Sequence, residues 1–528
     1  MSNQKLNLEG LAISQDLVLN KHIGKENSQI LLEGDYIIPD TKPDIADILR
    51  PKAELMMHKI ESLTNRVSFS GKLNIDMLYN VKGTQGEISG LSINVSVDDF
   101  INIEGVMPNM WSFLNYSIAH MEYRIINDRK IGYRAIIDIA ASIIDNTSAR
   151  FVTHIEELAS TQQKTTSFAI NQIIELKRDE FPIKEEITLP PNKPAIANLL
   201  ESSLSINNKE IKALGGRVNI SGDLLVSLLY KGHDEGALIE LSDFELPFSG
   251  SIDIELSKDT SFADCNLVIK DSILQVVQND DGEPRILQIE ANILAEIKLS
   301  AVIDLQTLED AYCIDQKLNI TQEFVQYSHL VSRNKNQFNV KEAVFLEDAP
   351  EIMQILKASG KVLLEDKKVV EDKVIAEGIV TADILYISSS DLQPLYNYSA
   401  VVPFKQVIET RGSDISMNCE INANLDHISI NMLSSSEVEL RFLLSFTTEV
   451  IQAKQIGLIT DIEFSPMNKE EIDELPSMAV ITIGKNDSLW SIAKKYNASL
   501  EELAAINDIS NPDDIKQGQK LLVVKKAI

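Results

Sequence analysis

The sequence predicts a mainly β protein: three tandem strand-rich repeats, each a sandwich or barrel with one short helix, followed by a small α+β module of βααβ order. Three observations carry this. The block P-x-I-x-x-(I/L)-L occurs as PDIADIL from Pro43, PAIANLL from Pro194 and PEIMQIL from Pro350. A glycine-led block follows each, always 28 residues after the proline: GKLNIDMLY from Gly71, GDLLVSLLY from Gly222 and GIVTADILY from Gly378. Equal spacing in three separate stretches marks tandem duplication. The last fifty residues then change from strand period to helix period.

The proline block reads as a short helix. Proline fits the first helical position, and the isoleucine and last two aliphatics recur three and four apart. The glycine block reads as a strand. Val67, Phe69, Leu73, Ile75, Met77 and Tyr79 alternate with mostly polar residues, as do Val218 to Tyr230 and Val374 to Tyr386. Each glycine falls on the apolar parity, so it admits a close neighbour or marks a bulge. Further strands lie around Phe100, Phe248 and Phe404. Terminal strands follow, such as Ile286–Ile289 with Ile293–Ile297, and Val438–Phe446.

These readings divide the chain into an N-terminal segment 1–28, repeats over 29–145, 172–303 and 326–455, and connectors 146–171 and 304–325. An acidic linker, 456–478, leads to the module, 479–526. From Asp461 to Met478 that linker has six acids, one lysine and two prolines. It reads as extended and exposed, with few contacts crossing it.

Composition excludes several functions. The net charge of −30 over 528 residues argues against nucleic acid as a partner and against an anionic membrane surface. The charge is uneven. Residues 479–528 hold seven lysines and six acids, leaving a near-neutral tip on a body near −31. Such a tip can meet an acidic partner that the body would repel. Cys265, Cys313 and Cys419 do not form a disulfide framework and fit a reducing compartment. No signal peptide and no apolar run near ~18 residues is evident, so no transmembrane segment is expected. Phosphate-loop, zinc-helix and nucleophile-elbow motifs are absent, and the seven histidines are scattered. No catalytic residue, metal site or cofactor is therefore expected, and the protein reads as a non-enzyme.

In the terminal module, Ile481 and Ile483 form a strand. Asp487 or Ser488 caps a helix that buries Leu489, Ile492 and Ala493. Asn497 and Ala498 break it. Ser499 opens a second helix, with Glu502 completing a capping box, and Leu500, Leu503, Ala504 and Ile506 form its buried face. Gly518 turns the chain into a closing strand, Leu521 to Val524. The motif D-S-L-W-S-I-A-x-x-Y followed by N-P-x-x-I-x-x-G-Q-x-L resembles the LysM domain. That resemblance implies binding of N-acetylglucosamine-containing glycans, and it implies a binding edge at Asp487, Ser488, Leu489, Trp490, Asn511, Pro512, Asp513, Asp514 and Ile515. Asn486 stands where glycine is usual. Trp490 either covers the small core or contacts a ligand. Leu489, Trp490 and Ile515 together are expected as an apolar hot spot for a protein partner.

The blocks YIIPDTKPDIADILR and SGKLNIDMLY resemble the SPOCS domain of spore coat proteins. Three such domains and a C-terminal LysM resemble the SipL family of clostridial coat morphogenetic proteins. In copy two the Asp-Thr-Lys-Pro-Asp run becomes Pro191-Asn-Lys-Pro-Ala195, and in copy three Glu347-Asp-Ala-Pro-Glu351. The resemblance implies a sporulation scaffold in the mother-cell cytoplasm at the forespore surface and in the spore coat. Its LysM would bind the coat morphogenetic ATPase of sporulation stage four, with other coat proteins as further partners. The alternative is a glycan-binding or peptidoglycan-binding protein of the cell wall or cortex.

Overall fold

The computed structural model describes residues 12–84, 86–156, 160–233, 239–254, 261–390, 393–467, 478–512 and 514–524. Each repeat is a six-stranded sandwich of two three-stranded antiparallel sheets. Repeat 1 contains β1 (Ala12–Ile37), β2 (Ile45–Leu63), β3 (Arg66–Val81), β4 (Ile88–Asn102), β5 (Trp111–Asn127) and β6 (Lys130–Ile155). Repeat 2 contains β7 (Thr161–Thr188), β8 (Ile196–Leu214), β9 (Arg217–Gly232), β10 (Ile239–Asp253), β11 (Ser261–Gln278) and β12 (Pro284–Cys313). Repeat 3 contains β13 (Gln316–Phe345), β14 (Ile352–Val370), β15 (Lys373–Ser388), β16 (Leu395–Glu409), β17 (Asn418–Ser434) and β18 (Glu437–Pro466). One sheet has order β2-β3-β4 and the other β1-β6-β5, and the pattern recurs in repeats 2 and 3. The alternating apolar residues of the glycine block form the centre of each core: Val67, Leu73 and Ile75 are fully buried, as are Val218, Leu224 and Val226.

The short helices expected at Pro43, Pro194 and Pro350 are replaced by strand. Ile45, Ile196 and Ile352 open β2, β8 and β14, which pair along the central strands β3, β9 and β15. Two bulges at equivalent places explain the misreading. They skip Ala46 and Leu49 in repeat 1, Ala197 and Leu200 in repeat 2, and Met353 and Leu356 in repeat 3. An extra residue in a strand returns side chains three apart to one face, so a bulged strand imitates helical spacing. A helix there would have left one side of each central strand without a ladder.

The fixed distance between the two blocks has a structural cause. Tyr79, Tyr230 and Tyr386, each fully buried, end the glycine block. Their hydroxyls donate to the carbonyls of Pro43 (3.0 Å), Pro194 (3.3 Å) and Pro350 (2.8 Å). Burial pushes the Tyr386 hydroxyl up to about 12. Gly71, Gly222 and Gly378 lie in β3, β9 and β15 as expected, facing a third bulge in the partner strand. A Cβ at Gly71 would sit 2.2 Å from the Met56 carbonyl oxygen, and one at Gly378 2.2 Å from that of Leu363. The Asp-Thr-Lys-Pro-Asp loop is a clasp. Arg129 donates to the carbonyls of Ile38 and Lys42 and pairs with Asp40 and Asp44. In repeat 2, Arg285 still holds the Lys193 carbonyl (2.8 Å). Repeat 3 has Ser436 at this place.

The expected connectors are also strand. Residues 146–155 finish β6, 161–171 begin β7, 304–313 finish β12 and 316–325 begin β13. Residues 456–466 of the expected linker finish β18, while 468–477 lie outside the described residues. These strand ends look polar because one face is wet, while the other packs between repeats. Val152, Leu308 and Ile459, at equivalent positions, share one buried cluster with Ile155 and Ala311. A second cluster takes Leu49, Leu200 and Leu356, then Leu78, Leu229 and Leu385, then Ile88, Ile239 and Leu395, again one from each repeat. The three repeats thus close into a ring around a pseudo-threefold axis. The residues after the three leucines are Arg50, Glu201 and Lys357. Arg50 and Glu201 form a buried ion pair of 2.8 Å, and Lys357 donates to Ser203 Oγ at 2.7 Å.

Candidate functional site

The module pairs β19 (Met478–Thr482) with β20 (Lys520–Val524) and sets α1 (Leu489–Lys495) and α2 (Leu500–Ile506) between them. Ser488 is the N-cap of α1. Its hydroxyl accepts from Ser491 N (3.0 Å), and Ser491 Oγ accepts from Ser488 N (2.9 Å), a reciprocal box. Ser499 caps α2 by accepting from Glu502 N at 3.4 Å. Asn497 and Gly518 take positive φ at the two turns that the sequence marked. Leu489, Ile492, Ala493, Leu503, Leu521 and Val523 form the core. Ile506, expected inside, is 44% exposed. Asn507 was not anticipated. Its amide donates to the carbonyls of Leu503 and Leu522 (2.8 Å each) and accepts from Leu522 N, tying the end of α2 to β20.

The edge residues separate into two groups. Asp487, Ser488, Asn511, Pro512 and Asp514 are exposed, and Ile515 is half-buried against the core. Asp487 Oδ2 accepts from Gly484 N (2.7 Å), and the Asn511 carbonyl accepts from Asp514 N (3.0 Å), so both loops are internally braced. Asp513 lies outside the described residues. Leu489, expected on the edge, is 1% exposed. As the first residue of α1 it turns inward, where the small core needs its volume. The expected apolar hot spot therefore does not assemble.

Trp490 belongs to a different surface. Its ring packs edge-on against Tyr312 of β12, with centroids 5.0 Å apart and planes at 69°. Its Nε1 donates to Asp310 Oδ2 (2.8 Å), while Lys494 pairs with Asp310 Oδ1. Tyr312, 3% exposed, donates its hydroxyl to the Ala498 carbonyl (2.8 Å), and burial holds that hydroxyl far above its usual range. Leu500 N donates to Gln162 Oε1 (3.3 Å) at the head of β7. The expectation of few contacts between body and module is thus corrected: Tyr312 is part of the module's own buried cluster. The equivalent strand ends carry His154 and Glu156 in repeat 1, and Asp461 and Glu463 in repeat 3. Neither offers an acid followed by an aromatic, so this socket is particular to repeat 2.

Among the described residues, no group of three or more His, Cys, Asp or Glu could hold a metal ion. No described helix is long and apolar enough to cross a membrane.

Fold and site together define a multidomain binding protein, a ring of three sandwiches with one small module fixed to it. A family model described as SipL, SPOCS domain matches residues 44–126, 195–277 and 351–433, and the LysM domain model matches 481–524. The chain has the SipL-like architecture, three SPOCS domains followed by a C-terminal LysM domain, and is a sporulation coat-related protein. Each SPOCS match spans the inner four strands, β2–β5 in repeat 1, and leaves out the long first and last strands that build the ring. No curated protein and no solved structure matches the chain.

Proposed function

We propose that the protein is a non-enzymatic scaffold of spore coat assembly. Its LysM edge binds a coat morphogenetic ATPase and so links the coat's basement layer to the forespore surface on the mother-cell side. The observation that carries this reading is the division of the module into two faces. Trp490 and Lys494 anchor it to repeat 2, while Asp487, Ser488, Asn511 and Pro512 remain exposed. A rigidly held module with one exposed edge suits a crosslinker better than a freely tethered one does. The polarity of that edge favours a second reading, binding of a glycan such as peptidoglycan. Sugar hydroxyls need hydrogen-bonding partners, and the apolar Leu489 does not reach the surface.

Calorimetry of the full chain against the ATPase and against chitin or peptidoglycan fragments separates the two. The scaffold reading expects ATPase binding that is lost when residues 479–528 are removed, and weak or no glycan binding. Tight glycan binding lost on Asn511→Ala, with no ATPase binding, overturns it.

A further inference from the structure

A crevice of about 1240 Å³ opens between the three repeats, lined by β2 and β5 of repeat 1, β7, β8, β11 and β12 of repeat 2, and β13, β17 and β18 of repeat 3. It exists only because the ring closes. Its charge runs against that of the chain. The chain is −30, yet the lining holds five cations, Lys177, Arg178, Lys209, Lys298 and Lys335, and three acids. Two of those acids are already neutralised, Glu296 by Arg178 (2.9 Å) and Asp264 by Arg333. The third, Asp426, accepts from Gln337 Nε2 (2.9 Å) and Ser445 Oγ (2.8 Å). Lys209, Lys298 and Lys335 have no ion-pair partner among the described residues. Lys209 and Lys335 are exposed and Lys298 is half-buried, so their unpaired charges are open to an anion, and a concave wall strengthens the local field.

The rest of the lining narrows the class of anion. Asn336 of β13 and Asn422 and Asn424 of β17, the two strands that flank β18, add amides to the lining, and the Asn336 Oδ1 is buried without a partner among the described residues. Amides of this kind match the N–H and C=O groups of an extended backbone. Trp111 and Phe113 add an apolar stretch on the repeat 1 side. The volume exceeds the roughly 300–1,000 Å³ of sites that enclose a small ligand. We propose that this crevice binds an acidic peptide segment in extended form, with its carboxylates on Lys209, Lys298 and Lys335 and its backbone against the repeat 3 amides.

The test titrates a peptide of alternating glutamate and alanine into the full chain, followed by calorimetry and by fluorescence of Trp111. A Trp111→Phe variant isolates that signal from Trp490. Binding that weakens with added salt, and at least about tenfold in the triple variant Lys209→Gln/Lys298→Gln/Lys335→Gln, is the expected result. A triple lysine-to-arginine variant should retain binding, and it shows that the charge and not the fold was lost. The proposal is overturned if millimolar peptide does not bind, or if the glutamine variant binds as well as the parent. Equal competition by free glutamate or inorganic phosphate reduces the crevice to a simple anion site and overturns it too. So does tighter binding of a single-stranded oligonucleotide of the same charge.

Discussion

Replacing Tyr312 by alanine should loosen the LysM domain although the residue lies in repeat 2. Its ring is 3% exposed, touches Trp490 edge-on, and closes the module's core from outside. Truncating a buried aromatic side chain to alanine costs about 3–5 kcal/mol. A module of under fifty residues holds only a few kcal/mol of its own stability, so most of it should go. Local opening of residues 481–524 should become more frequent by roughly two orders of magnitude, since about 1.4 kcal/mol is a factor of ten. Tyr312→Phe keeps the ring and loses only the hydrogen bond to the Ala498 carbonyl, about 1 kcal/mol. Asp310→Asn keeps an acceptor for Trp490 and loses the charge opposite Lys494. That pair is partly exposed, 42% and 29%, so the cost is about 1 kcal/mol or less. Hydrogen exchange read by mass spectrometry on the full chain reports all three variants, with β9 peptides as the control. Unchanged exchange over 481–524 in Tyr312→Ala would refute the shared core. Equal loss of protection in β9 would show that the body had failed instead.

Three further outcomes are expected from urea denaturation of the full chain. Gly71→Ala and Gly378→Ala should each cost about 3 kcal/mol or prevent folding, because the new methyl meets a backbone carbonyl at 2.2 Å. Gly222→Ala should cost only about 1 kcal/mol, since its nearest neighbours, the Phe248 ring and the Asn207 carbonyl, stand at 3.0 and 3.1 Å; equal costs at all three sites would contradict the close-approach argument. Tyr79→Phe, Tyr230→Phe and Tyr386→Phe should each lose about 1 kcal/mol and add independently, being in different repeats. Glu201→Ala should cost about 3–5 kcal/mol by leaving the Arg50 guanidinium buried and unpaired, and Arg50→Met/Glu201→Leu should cost less than that single change.

The readable parts of the sequence were those in which one local rule acted alone. The glycine blocks alternate cleanly because one face of β3, β9 and β15 meets the core. Ser488 and Ser499 cap their helices because a side-chain oxygen there satisfies an otherwise unpaired N–H. The proline blocks misled because bulges at Ala46 and Leu49, and at their equivalents, change a period of two into a spacing of three. The strand ends read as connectors because their apolar residues face other repeats, a context that no window of sequence contains. Phe151, Phe168, Leu305 and Leu458 come from all three repeats and meet in one cluster. The docking of the module was hidden for the same reason, since Asp310 and Trp490 are 180 residues apart. One signal was available. Aligned on the repeat, Tyr312 stands where the other copies have Glu156 and Glu463.

That departure belongs to a wider divergence at the ring's centre. Identical repeats around a threefold axis would place three like charges together at the position of Arg50, Glu201 and Lys357. The chain instead puts one acid between two cations. Burial pulls the Lys357 ammonium below its usual range while Glu201 opposes the shift. Such a set contributes little net stability over an apolar one, but it penalises any arrangement that brings Arg50 against Lys357. Each repeat therefore has one seat in the ring. A unique seat for repeat 2 fixes where the Asp310–Tyr312 socket stands, and the socket fixes which way the LysM edge faces. The scaffold role proposed above needs that direction set relative to the body. Three repeats that had stayed identical could not have set it, because each would have offered the module the same socket.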